Sequence, residues 1–169
     1  TYKNTKRFAD VRKVHQDIIK AYDLDFIKHA PRALVMKITD CFHAITNQLA
    51  KENKKFIYSV VRQGARARSY EDAVQWLVEA GLCLRVLQVN TPKIPIKAYA
   101  NQHVFKLYLF DVGLLNTMAG LSAKTILEGD SIFQEFKGAL TENFVAQELV
   151  IHHESLHYWS SGNRAEVDF

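Results

Sequence analysis

The sequence predicts an α+β protein in two units, a mostly helical one followed by a smaller acidic element of helix and strands. Three observations carry that prediction. Apolar residues recur in steps of three and four from Leu34 to Glu52, the spacing of an amphipathic helix. Two short runs, Leu82 to Val89 and Phe105 to Phe110, are apolar, aromatic and β-branched as strands are. The charge also reverses near Asp111: residues 1–30 hold seven Lys/Arg against four Asp/Glu, residues 31–110 twelve against five, and residues 111–169 three against nine. The overall +4 therefore conceals a basic part suited to a polyanion and an acidic part suited to a cation or a basic surface.

Residues 1–30 read as a helical linker: Val14, Ile18, Ile19, Tyr22, Phe26 and Ile27 form a broad stripe that stops at His29-Ala30-Pro31. Residues 31–115 read as the first domain. Val35, Ile38, Phe42, Ile45 and Leu49 build its first helix, which ends at Asn53-Lys54-Lys55. Phe56 to Val61 fits a short strand or an apolar helix start equally well. Ser69 is a candidate N-cap for a second helix carrying Tyr70, Ala73, Val74, Leu77 and Val78, and Gly81 a candidate C-cap. The strand Leu82 to Val89, a loop with two prolines and the strand Phe105 to Phe110 follow. Helix, helix and two strands joined by a long loop is the layout of a winged helix, a helix-turn-helix variant with a hairpin wing. Lys54, Lys55, Arg62, Arg66 and Arg68 lie before and at the start of the Tyr70 helix, where phosphates meet such a fold. This points to DNA backbone binding, with Gln75 placed for base contact; the same layout also serves protein docking.

Residues 116–169 read as the second unit. A helix from Gly138 to Ile151 places Glu142 among Ala139, Val145, Ala146 and Leu149, with Leu140, Phe144 and Ile151 on the other side. A carboxylate there needs a partner, a network or a metal, unless the helix N-terminus satisfies it. Leu156 to Trp159 and Ala165 to Phe169 flank Ser160-Ser161-Gly162-Asn163, a hairpin turn signal. Strand alternation then puts Glu166 and Asp168 on one face and Val167 and Phe169 on the other. With Glu142 these acids form a candidate oxygen site for Mg²⁺ or Mn²⁺, able in principle to activate water against a phosphodiester; a solvated strand edge is the simpler alternative.

Other classes are excluded or expected from composition. At 169 residues, 48% apolar, with 7 Gly and 3 Pro, the chain is neither disordered nor fibrous. No apolar run approaches the roughly 18 residues of a membrane span, and Thr1 to Asp10 is charged, so a cytoplasmic protein without membrane contact is expected. Cys41 and Cys83 fit small buried residues of a reducing compartment. There is no Gly-x-x-x-x-Gly-Lys-Ser/Thr loop, Gly-x-Ser-x-Gly elbow or Cys-x-x-Cys pair, so no P-loop nucleotide site, serine nucleophile elbow or dithiol motif is present.

Phe105 to Leu115 (FKLYLFDVGLL), Gly138 to Leu149 (GALTENFVAQEL), Tyr158-Trp159 and Glu166-Val167-Asp168-Phe169, in that order, resemble the C-terminal region of prokaryotic AAA-type ATP-binding proteins, the family of the domain of unknown function numbered 4143. Lys54-Lys55-Phe56, Trp76-Leu77 and Pro95 to Tyr99 resemble it too. The resemblance implies a winged-helix segment followed by a part similar to the PD-(D/E)xK restriction-endonuclease-like fold. It assigns Glu142 to that fold's helix Glu and Asp168 to its first metal-binding Asp, with Glu166 in the same motif, and it implies that ATP binds a module this chain lacks. The chain stops before the strand on which the family carries Glu-x-Lys. A truncated endonuclease-like αβ element, inactive by itself, is therefore expected. The function expected is that of a nucleic-acid-associated regulatory module of a larger ATPase. The alternatives are a metal-dependent nuclease in the full-length protein and an interaction module that pairs with the ATPase part or forms a homo-oligomer.

Overall fold

The computed structural model describes residues 2–51, 54–122, 125, 134–161 and 165–169, with the side chains of 134 and 135 left aside. The chain is α+β. A short N-terminal turn of helix, α1 (Tyr2–Thr5), precedes α2 (Phe8–His29), α3 (Val35–Leu49), α4 (Tyr58–Val61) and α5 (Ala67–Glu79). The strand β1 (Cys83–Val89), a 3₁₀ turn (Ile96–Tyr99) and the strand β2 (Ala100–Leu109) follow. Helices α6 (Val112–Met118) and α7 (Gln134–Leu149) and the strands β3 (His157–Ser160) and β4 (Glu166–Val167) complete the described elements. No helix among the described residues is long and apolar enough to cross a membrane.

Local signals account for most of these elements. Phe42, Ile45 and Ile38 of α3 are fully buried, as the three-and-four spacing requires, and Phe26 of α2 packs edge-on against Phe42 and Trp76. Burying each such side chain contributes about 1.5–3 kcal/mol, which makes this helical cluster the mechanical base of the fold. The segment 56–61 resolves as α4 preceded by an extended stretch, in which Lys55 forms an isolated antiparallel bridge to Lys106 of β2. Gln48 fixes that stretch from α3: its Oε1 accepts from the Ile57 N–H at 3.1 Å and its Nε2 donates to the Ile57 carbonyl at 2.9 Å. Helix α5 starts earlier than Ser69 implies, with Arg66 at the N-cap and no side-chain cap. It ends as expected. Gly81 adopts φ +71°, its N–H bonds the Val78 carbonyl, and the Leu82 N–H bonds the Leu77 carbonyl, a Schellman closure that turns the chain directly into β1.

The sheet order is β2-β1-β3-β4. β1 pairs antiparallel with β2 and parallel with β3, and β3 pairs antiparallel with β4. The sheet therefore runs across the boundary expected near residue 115, because strands of the acidic C-terminal segment add directly to β1. The hairpin of β3 and β4 forms, with Ser161 N–H bonded to the Ala165 carbonyl; Gly162 and Asn163 of the expected turn lie outside the described residues, as does Asn53.

Helix α7 begins at Gln134 rather than Gly138 and is buried on one side only. Ala139, Asn143 and Ala146 are fully buried, while Phe144 is half exposed; the helix ends at Leu149, so Ile151 lies beyond it, exposed. Asn143 seats this helix on the sheet: its Oδ1 accepts from the Leu109 N–H at 2.8 Å and its Nδ2 donates to the Leu109 carbonyl at 2.9 Å. An amide side chain thus fills, on the open edge of β2, the place of one residue of a neighbouring strand.

Candidate functional site

Strand alternation along Phe105 to Leu109 places Phe105, Leu107 and Leu109 on one face of β2 and Lys106 and Tyr108 on the other, and all five are buried. Lys106 lies opposite Val86 of β1, and Gln88, two residues on, pairs with Tyr158 of β3. Its side chain crosses this face of the sheet with Nζ 5.0 Å from the centre of the Tyr158 ring. There it meets Glu166 Oε1 at 2.5 Å and Asp168 Oδ1 at 2.8 Å. Glu142 descends from α7 onto the same nitrogen, its Oε2 lying 3.6 Å from Lys106 Nζ and accepting from the Tyr108 hydroxyl at 3.0 Å. Its Oε1 accepts from Lys54, a residue held at φ +49° in the stretch that Gln48 fixes.

The cluster thus joins three carboxylates with two ammonium groups from four separate segments. Lys106 is 1% exposed, and Lys54 and Glu142 are each below one-fifth. Burial alone would lower the Lys106 pKa, but the hydrogen bonds it donates to Asp168 and Glu166 and the charge of Glu142 outweigh it and hold the group above its ordinary value. Burial and then the adjacent Glu142 push the Tyr108 phenol up, so it stays protonated and donates. Glu166 and Asp168 are 31% and 43% exposed, so the cluster is buried at its lysine end and open to solvent at its C-terminal carboxylates, and the cost of leaving a member unpaired falls mainly on Lys106.

The three acids singled out from the sequence therefore come together, and Glu166 and Asp168 share a face as alternation requires. Two details differ. Glu142 is the ninth residue of α7, too far from the helix N-terminus for the dipole to satisfy it. Phe169 does not point away with Val167: the ladder ends at Val167, and the Phe169 ring turns onto Tyr108, centroids 6.0 Å apart. Sequence reasoning missed Lys106 and Tyr108 as members. Their signal was a lysine inside an otherwise apolar strand, which only a paired and buried position explains.

The basic residues divide into two groups. Lys54 and Lys55 lie beside the acid cluster, the first on Glu142 and the second in the bridge to β2. Arg62, Arg66 and Arg68 are exposed before and at the start of α5. Arg62 stands 3.9 Å from Asp40, and neither Arg66 nor Arg68 has an ion-pair partner among the described residues. Gln75 is exposed two turns along α5, and its Nε2 donates to Glu79 at 2.9 Å.

The resemblance to a nuclease-like part implies Mg²⁺ or Mn²⁺ at Glu142 and Asp168. Their oxygens are the right donors for either ion. As arranged, however, the carboxylates converge on an ammonium at hydrogen-bonding distance, and among the described residues no group of three or more His, Cys, Asp or Glu is disposed to hold a metal. The residues in this arrangement do not fit the ion.

Fold and site together define an α+β protein with a helical layer, a four-stranded mixed sheet and a buried lysine that meets three carboxylates on one sheet face. The chain belongs to a family described as a domain of unknown function, DUF8612, whose model matches residues 1–125. The model of a second domain of unknown function, DUF4143, matches residues 137–169, the segment of Glu142, Glu166 and Asp168. No match is found among curated proteins or among solved structures.

Proposed function

We propose that the chain is a nucleic-acid-associated regulatory module of a larger AAA-type ATP-binding protein, in which a winged helix built from α3, α5 and the β1–β2 hairpin contacts the DNA backbone. The observation that carries this reading is the exposed trio Arg62, Arg66 and Arg68 at an N-terminus of α5 that no side chain caps. The uncapped first turn and the guanidinium groups of Arg66 and Arg68, which have no ion-pair partner among the described residues, together form an anion-binding surface, with Arg62 beside them paired only at 3.9 Å to Asp40. Lys54 is excluded from that surface because Glu142 engages it. The order of α3, α5, β1 and β2 supports the winged-helix assignment.

Fluorescence anisotropy of a labelled duplex against salt tests the reading. If each arginine neutralises one phosphate, log Kobs falls with log salt at a slope of about −2.7, and Arg66→Ala with Arg68→Ala flattens it to about −0.9. Absence of binding at low salt, or a slope indifferent to these substitutions, would refute the DNA face and leave α5 as a protein-docking surface.

A further inference from the structure

Strand β4 is two residues long, Val167 is half exposed, and the backbone pairing to β3 covers only Trp159 with Val167 and Ser160 with Glu166. So short a pair is not stable by itself. What holds it lies across the sheet. Lys106 reaches over β1 and β3 to both carboxylates flanking Val167, while the same nitrogen faces Glu142 on α7. The lysine is anchored at its other end in the middle of β2 and is almost wholly excluded from solvent, so its ammonium has nowhere else to go.

A divalent cation binding these oxygens would sit at about 2.0–2.6 Å from them, in the space the ammonium occupies. It would also bring two positive charges against a third, the Lys106 ammonium, which is 1% exposed. We infer that the Lys106 ammonium is the resident cation of the Glu142, Glu166 and Asp168 cluster. In the place of a metal, it makes these acids a clasp that fastens α7 and the C-terminal strand to β2. The cluster is then metal-independent, and its role in this chain is to dock the C-terminal segment.

Manganese titration followed by the EPR signal of free Mn²⁺ tests this, using the whole chain and its Lys106→Met and Asp168→Asn variants, independently of any DNA binding. The wild-type protein should take up no Mn²⁺ that Asp168→Asn abolishes. Lys106→Met should gain affinity by about a hundredfold or more, the scale expected when a like charge roughly 4 Å away is removed at an effective dielectric near 20. In ¹⁵N spectra of the wild type, one lysine Nζ should be protected from exchange. Asp168-dependent Mn²⁺ binding by the wild type overturns the inference, as does a folded Lys106→Met variant that binds no more Mn²⁺ than its parent. Should that variant fail to fold, the wild-type titration and the lysine spectrum decide: no Asp168-dependent uptake with a protected Nζ supports the clasp, and uptake or an unprotected Nζ refutes it.

Discussion

Replacing Asn143 by alanine removes the strand substitute that joins α7 to the edge of β2. Asn143 is fully buried and satisfies both polar groups of Leu109, at 2.8 and 2.9 Å. Asn143→Ala leaves that N–H and that carbonyl without a partner in an interior position. Each unsatisfied group costs about 1–3 kcal/mol, so the pair costs about 2–6 kcal/mol before relaxation. With a urea m-value of about 2 kcal/mol/M, a loss of about 3 kcal/mol lowers the unfolding midpoint by about 1.5 M. Phe144→Ala is the control. Its side chain is half exposed on the same helix, and its removal should cost about 1 kcal/mol or less. Urea unfolding followed by far-UV circular dichroism reads both variants. A midpoint for Asn143→Ala within about 0.25 M of the wild type, or one no lower than that of Phe144→Ala, would refute the edge-capping argument.

The raised pKa of Lys106 makes an alkaline prediction. Below the ordinary lysine value of about 10.4 the group is charged in both folded and unfolded chains, and its contribution to stability is fully present. As the pH rises through the folded value that contribution is lost, so the stability difference between wild type and Lys106→Met should be constant from neutral to mildly alkaline pH and narrow above it. A gap that does not change with pH would remove the cluster's charge from the account. Burial pushes the Cys41 thiol up to about 12 and the Cys83 thiol higher still. Neither should react with an aromatic disulfide reagent in the native protein near neutral pH, and both should react in urea; native labelling at the rate of a free thiol would contradict their burial.

Much of the framework is legible because it rests on local periodicity. The three-and-four spacing of Val35, Ile38, Phe42, Ile45 and Leu49 specifies α3 wherever the rest of the chain goes. The two-residue period likewise places Glu166 beside Asp168 before anything is known of their neighbours. Gly81, needed at positive φ, marks the end of α5 for the same local reason. The start of that helix is not legible locally, because Arg66, with no capping side chain, leaves no signature and Ser69 imitates one.

What tertiary structure alone decides is the company the acids keep. Lys106 lies in sequence 60 and 62 residues from Glu166 and Asp168, and Lys54 lies 88 from Glu142. Their meeting depends on the parallel addition of β3 to β1 and on the seating of α7 by Asn143. Sequence by itself determined that three carboxylates of residues 142–168 could share one site. Only the packing decided that an ammonium holds them, because desolvation and charge pairing are properties of the assembled interior, and no local pattern encodes which distant cation will be buried there.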